Sequence, residues 1–488
     1  MPRRFWPGRI LTLAAALLAG GALSVSAAVP YESYNYIEKA GEMLRAPCPA
    51  PFVPLEVWDA ASLGVPLGAP NDIFLAPDGD FYVVDTENSA LLVISAQGEL
   101  KRRVDAFMLD GERQTFQKPE GVYVTDAGEV YVADTENNRV VVLDSRMEGI
   151  RAIAPAASDL LGEGYIFYPR KVSVDGGGRL FVVARGQYNG IMQFTADGKF
   201  ASFTGSNQVN PSAVELLWRR FMTKEQREKT AQLIPLEYTN LSLDGEGFLY
   251  AVTQATGESK KIKRLNPGGA DVLIRSDEAA ASAITENAKI ADICSDSDGN
   301  YYAINQQDGG VYAYDGDGRL LYVFGDIGEL VGTFQNPTAV EYAGDRLYVA
   351  DGVLGNVTVF HMTGYAREMQ TARRLYEESR YEESRACWER VLRQNSNCTL
   401  AYVQLGRIYY RLEDYGKAME YFKKGNFRGD MYVGGYGTAL ELYRAEFLRR
   451  HMGQIFTVVL LLAAAGTAAW LIVRYRRGKR RKGVGEHE

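Results

Sequence analysis

The stretch that decides the fold runs from residue 118 to 142 and reads Lys-Pro-Glu-Gly-Val-Tyr-Val-Thr-Asp-Ala-Gly-Glu-Val-Tyr-Val-Ala-Asp-Thr-Glu-Asn-Asn-Arg-Val-Val-Val. Short runs of Val and Tyr suit a pleated sheet, and the Asp, Gly and Asn residues between them favour tight turns. Three such runs within so short a stretch predict an antiparallel sheet of three consecutive strands.

The middle strand of this stretch recurs along the chain. The six copies are Phe81–Asp85, Val130–Asp134, Leu180–Ala184, Leu249–Val252, Tyr301–Asn305 and Leu347–Asp351. Successive copies lie 46 to 52 residues apart, except for one interval of 68. A repeat of about 40 to 50 residues, with room for four short strands, is typical of a propeller blade. We therefore predict a mainly β fold with six blades over residues 53–365.

The turns carry a resemblance to a known repeat. Three motifs resemble NHL repeats: Asp134-Thr135-Glu136-Asn137-Asn138-Arg139-Val140, its counterpart Asp85-Thr86-Glu87-Asn88-Ser89, and the preceding Pro-Glu-Gly-Val. The six copies together resemble an NHL-type six-bladed β-propeller. The match is strong in copies one, two and six and weaker in the others, where Ala184-Arg185-Gly186, for example, lacks the turn aspartate. We expect that aspartate to accept hydrogen bonds from turn N–H groups, which is a structural role.

Two further segments are predicted to complete the ring. Residues 53–62, with Leu55-Glu56-Val57-Trp58, are expected to supply an outer strand beside the sixth blade. The long interval contains Asn210 as a helix cap, Pro211 in the first turn and apolar residues at helical spacing, so we expect a helical insertion at about 210–232. That insertion would either pack on the propeller or cover its pocket. Residues 29–52 are expected to be a linker.

Beyond the propeller the apolar period changes from two to 3.6. Tyr381 and Tyr415 are 34 residues apart, as are Trp388 and Phe422, and 34 residues is the period of a tetratricopeptide repeat. The second copy resembles the signature of that family well and the first is degenerate. We predict tetratricopeptide-like helices over 366–452, with a last helix from about 438 to 451 that caps the pair.

The two ends of the chain predict export and anchoring. Three arginines and an apolar run end in Ser26-Ala27-Ala28, which indicates a signal peptide over residues 1–28. Residues 455–473 carry no charge and are long enough to cross a bilayer, so we place a transmembrane helix at 453–473. The basic tail at 474–488 is expected to stay in the cytoplasm. The prediction is a single-pass protein of the cell membrane with its large domain outside.

Composition and charge exclude several classes of function. With 46% apolar and 24% charged residues, the 488-residue chain is neither disordered, collagen-like nor a polytopic membrane protein. The net charge of −7 becomes about −15 once the basic ends are removed, and such an acidic domain is a poor partner for nucleic acid. Only three histidines are present, at 361, 451 and 487, which argues against histidine catalysis or zinc chemistry in the propeller. Cys387 and Cys398 either approach each other between helices or remain buried thiols.

The residues that enter each inner strand are expected to line the mouth of the central channel. They mix positive, negative and neutral polar side chains, which suits a neutral or zwitterionic ligand such as a sugar or peptide, although pairing among themselves is an equally good reading. These residues are Asn71, Asp72, Glu120, Arg170, Lys171, Asn240, Asp292 and Thr338.

Related six-bladed lactonases of the gluconolactonase type hold a divalent metal with Glu, Asn and Asp. By that resemblance Glu120, Asn240 and Asp292 form the alternative metal set, and oxygen ligands would suit Ca²⁺. Without that alternative we expect no catalytic residue and no cofactor. The Asp/Gly runs at 296–300 and 315–318 lack the distal glutamate of a calcium loop and are predicted to be hairpin turns.

The function predicted from the sequence is that of an extracytoplasmic binding or scaffold protein. Propellers and helical repeats both serve as interaction folds, and no complete catalytic motif stands out. The expected partners are a protein at the cell envelope, such as a membrane transporter or an envelope complex for carbohydrate uptake, and a polar small ligand. The alternative is a metal-dependent, lactonase-like hydrolase.

Overall fold

A computed structural model describes residues 29–482 apart from 40–41, 157, 159, 163, 207–236, 257, 276–283, 286 and 426–434. The predicted signal peptide, the predicted helical insertion at about 210–232 and the end of the basic tail therefore lie outside the described residues.

Six antiparallel sheets surround a central axis, which confirms the predicted six-bladed β-propeller. The second strand of most blades is buried along its whole length, so it reads as a continuous apolar run rather than an alternating one. The blade strands, from the axis outward, are β4–β7 (Pro70–Leu75, Phe81–Asp85, Ala90–Ile94, Leu100–Val104), β10–β13 (Gly121–Val124, Val130–Asp134, Arg139–Leu143, Gly149–Ile153), β14–β17 (Pro169–Val174, Leu180–Ala184, Ile191–Phe194, Phe200–Thr204), β18–β20 (Asn240–Leu243, Leu249–Val252, Ile262–Leu265), β21–β24 (Ile290–Ser295, Tyr301–Asn305, Gly310–Tyr314, Leu320–Phe324) and β25–β27 (Pro337–Ala343, Arg346–Asp351, Asn356–Met362).

The ring is closed by an N-terminal strand, as predicted. Strand β3 (Phe52–Trp58) pairs antiparallel with β27 and becomes the outer strand of blade six. Trp58 is 1% exposed and packs against Phe81 of blade one and Tyr348 of blade six. Because the outer strand of the last blade comes from the start of the chain, opening the ring would break the β3–β27 pairing.

The segment expected to be a linker, residues 29–52, contains two strands instead. Strand β1 (Ser33–Lys39) pairs with β24, and β2 (Glu42–Pro47) pairs with β1, so blade five carries a sheet of six strands. No strong alternation marks this hairpin in the sequence. A second small hairpin, β8 (Ala106–Leu109) and β9 (Glu112–Thr115), lies between blades one and two.

The turn aspartates have the structural role expected of them. Asp134 accepts hydrogen bonds from Gln117 N at 2.7 Å and from the side chains of Asn137 and Arg139, both at 2.9 Å. Asp351 likewise accepts four backbone N–H bonds, two from the approach to its blade and two from its own turn. Each aspartate thus joins the approach of its blade to the second turn.

Helices follow the last blade directly. A short helix α1 (Ala60–Leu63) precedes blade one, and four helices form two antiparallel pairs after blade six: α2 (Gly364–Glu377), α3 (Tyr381–Gln394), α4 (Thr399–Arg411) and α5 (Tyr415–Lys424). Gly406 of α4 faces Phe422 of α5 so closely that an added Cβ would lie 2.6 Å from the ring. The small residue lets the two helices approach each other closely, as in a tetratricopeptide pair.

The propeller and the helices share one hydrophobic core. Buried residues of blades five and six, such as Tyr302 and Phe360, belong to the same cluster as Met369 and Trp388 of the helices. A buried polar network crosses the junction, in which the Asn395 amide donates to Asn35 Oδ1 and to the Tyr365 hydroxyl, both at 3.0 Å. The two parts are therefore packed as one body.

The last described element is a single helix, α6 (Tyr436–Lys482), which contains both the predicted capping helix and the predicted membrane segment without a break. Its start packs on α5, where Ala439 joins the cluster of Ala418 and Phe422. Its central part is apolar and exposed, with a mean hydropathy of 2.3 in the most apolar window. By length and composition it is able to cross a membrane.

Candidate functional site

The inner strands place two rings of side chains around the axis. In a strand, residues two positions apart face the same side, so two positions of each inner strand repeat from blade to blade. They are the third and fifth residues of β4, β14, β21 and β25 and the first and third residues of the shorter β10 and β18. The first ring consists of Asp72, Gly121, Lys171, Asn240, Asp292 and Ala339, and the second of Phe74, Tyr123, Ser173, Ser242, Cys294 and Glu341.

A cavity of about 150 Å³ lies on the axis between the six inner strands. Every member of the second ring lines it, together with Asp72, Lys171 and Asp292 of the first ring. Three of the eight predicted channel residues therefore reach the cavity.

Two of these aspartates connect one blade to the next. Asp72 accepts hydrogen bonds from Ile73 N at 3.1 Å and from Val122 N of blade two at 2.8 Å. Asp292 does the same with Ile293 N and Val340 N of blade six, both at 2.8 Å. Burial raises the pKa of the Asp292 carboxyl to about 6.

Lys171 spans the channel from blade three to blade one. Its Nζ lies 2.6 Å from Asp72 Oδ1 and donates to the carbonyl oxygen of Asn71 at 3.2 Å. Lys171 and Asp72 are 6% and 8% exposed, so this ion pair is almost fully shielded from solvent. Burial raises the pKa of Asp72, while the ammonium of Lys171 acts in the opposite direction.

Gly121 explains why blade two contributes no side chain to the first ring. A Cβ at this position would lie 2.4 Å from the carbonyl oxygen of Arg170 in the neighbouring blade. Blades two and three therefore approach each other through bare backbone, which only glycine permits.

Glu120 and Arg170 form a separate ionic cluster at the start of the same two inner strands. Glu120 Oε2 accepts a hydrogen bond from Arg170 Nε at 2.7 Å, and Glu120 Oε1 accepts one from Arg185. Arg185 also lies 3.6 Å from Glu136. Sequence reasoning missed Arg185 as a site residue. The available signal was that Arg185 occupies the blade position at which blades one and two carry threonine.

The remaining predicted residues fasten neighbouring blades. Asn240 donates to the carbonyl oxygen of Ala291 at 2.9 Å and accepts from Leu241 N at 2.6 Å. The Thr338 hydroxyl donates to the carbonyl oxygen of Pro70 at 2.6 Å, which joins blade six to blade one.

The alternative metal set does not have free oxygens in this arrangement. Both carboxylate oxygens of Glu120 pair with arginines, and the amide oxygen of Asn240 accepts a backbone N–H bond. Among the residues that the structure describes, no group of three or more His, Cys, Asp or Glu side chains is arranged to hold a metal ion. His361 lies on β27, within blade six, and faces Asp345 at 3.4 Å.

Sequence reasoning missed Glu341, the second-ring residue of blade six. Its carboxylate accepts a hydrogen bond from Tyr342 N at 3.0 Å, and burial raises its pKa to about 8. The signal was present, because Glu341 is the one charged residue in an inner strand whose other residues, apart from Thr338, are apolar.

The two faces of the propeller differ. We call the face with the connections between blades, such as 154–168 and 325–336, the loop face. The opposite face, with the short turns 76–80, 125–129 and 296–300, is the turn face. The two kinds of connection lie on opposite faces because successive strands of a blade run in opposite directions.

The tetratricopeptide-like helices occupy part of the turn face. Gln370 donates to the Tyr302 hydroxyl at 2.6 Å, and Arg374 lies 3.7 Å from Asp298 in the 296–300 turn. On the next blade, Arg367 lies 3.1 Å from Asp345. These polar contacts surround the shared apolar core.

The loop face carries exposed apolar side chains. Near blade six they form a group that we call the apolar rim patch: Ile327, Leu330, Val331 and Val353, which are 47% to 65% exposed. Asp351 holds the two loops of this patch together, since it accepts bonds from Gln335 N at 2.6 Å and from Val353 N at 2.9 Å. The described short turns of the turn face contain no exposed large apolar residue.

Comparison with protein families gives two matches. The NHL repeat model matches residues 116–143, and the tetratricopeptide repeat model matches residues 369–430. Comparison with curated protein sequences gives no match. The chain is therefore a six-bladed β-propeller with a matched NHL repeat in blade two, followed by helices with a tetratricopeptide match and by one long apolar helix.

Comparison with solved structures gives matches of low identity and low TM-score. Virginiamycin B lyase from Staphylococcus aureus is 11% identical with a TM-score of 0.39, and the match covers 68% of this chain and 95% of that one. A protein of unknown function from Bacteroides thetaiotaomicron is 15% identical with a TM-score of 0.41, covering 68% and 90% of the two chains. A protein described as a candidate gluconolactonase is 14% identical with a TM-score of 0.39, covering 61% and 89%.

Proposed function

We propose that the protein is a membrane-anchored, extracytoplasmic scaffold that presents the loop face of its propeller to a protein partner at the cell envelope. The observation that carries this proposal is the division of the propeller surface. The tetratricopeptide-like helices and the anchor helix that continues from them are joined to the turn face, whereas the apolar rim patch is on the loop face. Exposed apolar groups of this kind are typical of interaction surfaces.

The orientation follows from the charges that flank the apolar helix. Seven basic residues lie between 474 and 482, directly after the apolar part of α6. Such clusters favour the cytoplasmic side, which supports an orientation with the propeller outside. The acidic ectodomain then faces an environment in which protein and small polar molecules, rather than nucleic acid, are the available partners.

The anchor helix favours a partner in or at the membrane, because it would hold the propeller close to the bilayer. The partner we propose is therefore a transporter or an envelope complex, including one for carbohydrate uptake. The tetratricopeptide-like helices supply a second surface for the same assembly.

Site-specific photo-crosslinking in native membranes tests the proposal. A photoreactive residue replaces Leu330 in the apolar rim patch, and the matched control carries it at Asp126 in the exposed 125–129 turn of the turn face. We expect a protein adduct of defined mass from position 330 and none from 126.

A second variant separates binding from folding. Val353→Asp places a charge in the apolar rim patch without touching the buried core and should abolish the adduct from position 330 while the melting temperature stays unchanged. Equal adducts from both faces, or none from either, would contradict the proposed use of the loop face.

A further inference from the structure

The cavity on the propeller axis has the dimensions of a small-molecule site. A volume of about 150 Å³ is comparable with a cavity that accepts a molecule of about six non-hydrogen atoms, or about five waters at about 30 Å³ each. All six blades contribute to its wall, so the closure of the ring fixes its shape.

The wall carries more acidic groups than basic ones. Asp72, Asp292 and Glu341 line the cavity, against the single cation Lys171. Lys171 pairs with Asp72 at 2.6 Å, and within the described part of the chain neither Asp292 nor Glu341 has an arginine or lysine within ion-pair distance. Lys171 also acts on Asp292 and lowers its pKa against the effect of burial. The pKa of the half-buried Glu341 is raised to about 8, so its neutral form predominates at neutral pH, and a positive charge that enters the cavity would favour its ionised form.

One polar group at the cavity wall has no hydrogen-bond partner. Ser173 is 1% exposed, and its hydroxyl makes no hydrogen bond to any residue that the structure describes. A buried hydroxyl without a partner costs free energy comparable to a lost hydrogen bond. A ligand in the cavity would satisfy it, since Ser173 lines that space.

The rest of the second ring includes two aromatic rings. Phe74 and Tyr123 both line the cavity, and their ring centroids are 4.7 Å apart. Aromatic faces attract organic cations, particularly where water is excluded. They offer nothing to a divalent metal ion, which prefers a shell of oxygen atoms.

From these observations we propose that the axial cavity binds a small organic ammonium ion of up to about six non-hydrogen atoms. Glu341 and Asp292 are its counter-ions, and the rings of Phe74 and Tyr123 form apolar walls. The Ser173 hydroxyl forms a hydrogen bond with the ligand. The excess of carboxyl groups favours such a cation over the neutral sugar or peptide expected from the sequence. This site depends on the ring alone and not on the proposed partner.

Isothermal titration of the full chain in detergent tests the site with tetramethylammonium and ethanolamine as probes. We expect saturable binding of at least one probe with a stoichiometry of one. Glu341→Gln should weaken it at least tenfold. The matched control Glu99→Gln, at an exposed turn position, should bind as the wild type does. Ser173→Ala should weaken ethanolamine, which has a hydroxyl, more than tetramethylammonium.

The pH dependence of tetramethylammonium binding is the sharper readout, because this probe does not titrate. Affinity should rise between pH 6.5 and 8 as the cation stabilises the ionised form of Glu341 and displaces its proton, and then level off. Four other ionisable side chains face this group and remain in the Glu341→Gln variant: Asp72, Asp292, Lys171 and Cys294. The variant should nevertheless lose the rise in affinity with pH.

Other outcomes would overturn the proposal. Binding of glucose or Ca²⁺ with no ammonium binding would assign the cavity to another ligand class. Ammonium binding that Glu341→Gln leaves unchanged, with the variant melting as the wild type does, would place the cation elsewhere. No binding of either probe at millimolar concentration would also contradict it.

Discussion

Glutamine at position 341 is expected to make the protein more stable than the wild type at alkaline pH. Burial at the channel wall raises the pKa of Glu341 from the ordinary 4.5 to about 8. The folded state therefore holds this proton more tightly than the unfolded chain does. Stability must fall as the pH rises from about 4.5 and level off above about 8, because the unfolded chain releases the proton first.

The magnitude follows from the width of that pH window. Each pH unit within it costs about 1.4 kcal/mol, so the whole window corresponds to at most about 5 kcal/mol. Between pH 6 and 8.5 we expect the wild type to lose about 2 kcal/mol more than Glu341→Gln, since water in the cavity screens part of the effect. For a chain of this size that is a difference of about 2 °C in Tm.

Thermal melts of the full chain in detergent, recorded by circular dichroism from pH 5.5 to 9, provide the assay. The comparison removes contributions shared by both proteins, including those of Asp292 and Asp72, whose pKa values burial also raises. Glu99→Gln should follow the wild type at every pH. Parallel wild-type and Glu341→Gln curves over the whole range would refute the view of Glu341 as a buried, proton-holding acid.

Three further predictions concern the ring and its anchor. Gly121→Val should prevent blades two and three from packing, because the added Cβ would lie 2.4 Å from the Arg170 carbonyl oxygen, and the variant should melt at least 10 °C lower or not fold. Asp134→Ala should cost about 2 to 4 kcal/mol in chemical denaturation, because it removes three hydrogen bonds and leaves buried donors unpaired. For topology, a cysteine at Glu99 should react with an impermeant thiol reagent in intact cells, whereas one at Gly485 should react only after permeabilisation; the reverse pattern would overturn the orientation.

The blades, the closing strand and the helical repeats were predictable because their signals are local. Short apolar strands and Asp/Gly turns repeat within each blade, and the apolar strand that ends at Trp58 pairs with the last blade. The 34-residue spacing predicted the helices in the same way, although it did not predict individual contacts such as that between Gly406 and Phe422.

The channel was predicted less well because register decides which side chain faces it. In four inner strands the register shifts by one residue near the start, as between Pro70 and Asp72. A bulge of one residue exchanges the side chains on the two faces of a strand. The predicted set consequently combined cavity residues such as Lys171 with strand-entry residues such as Glu120, and it omitted Glu341.

The junction between propeller and helices had no sequence signal. It depends on single residues far apart in the chain, such as Asn35 and Asn395, and on a hairpin in residues 29–52 whose pairing with blade five is non-local. Neither periodicity nor turn chemistry marks such contacts. Only the folded chain brings them together.

The most direct test of the central claim is the distance between the propeller and the far end of the helices. Spin labels at Asp126 on the turn face and Glu420 on α5, with Cys48 replaced by serine, would be measured by double electron–electron resonance in the full chain in lipid nanodiscs. One narrow distance distribution is expected, because the shared core makes the two parts a single rigid platform on the anchor. A broad or multiple distribution would mean that the propeller moves freely relative to the helices, and the proposed scaffold would be wrong.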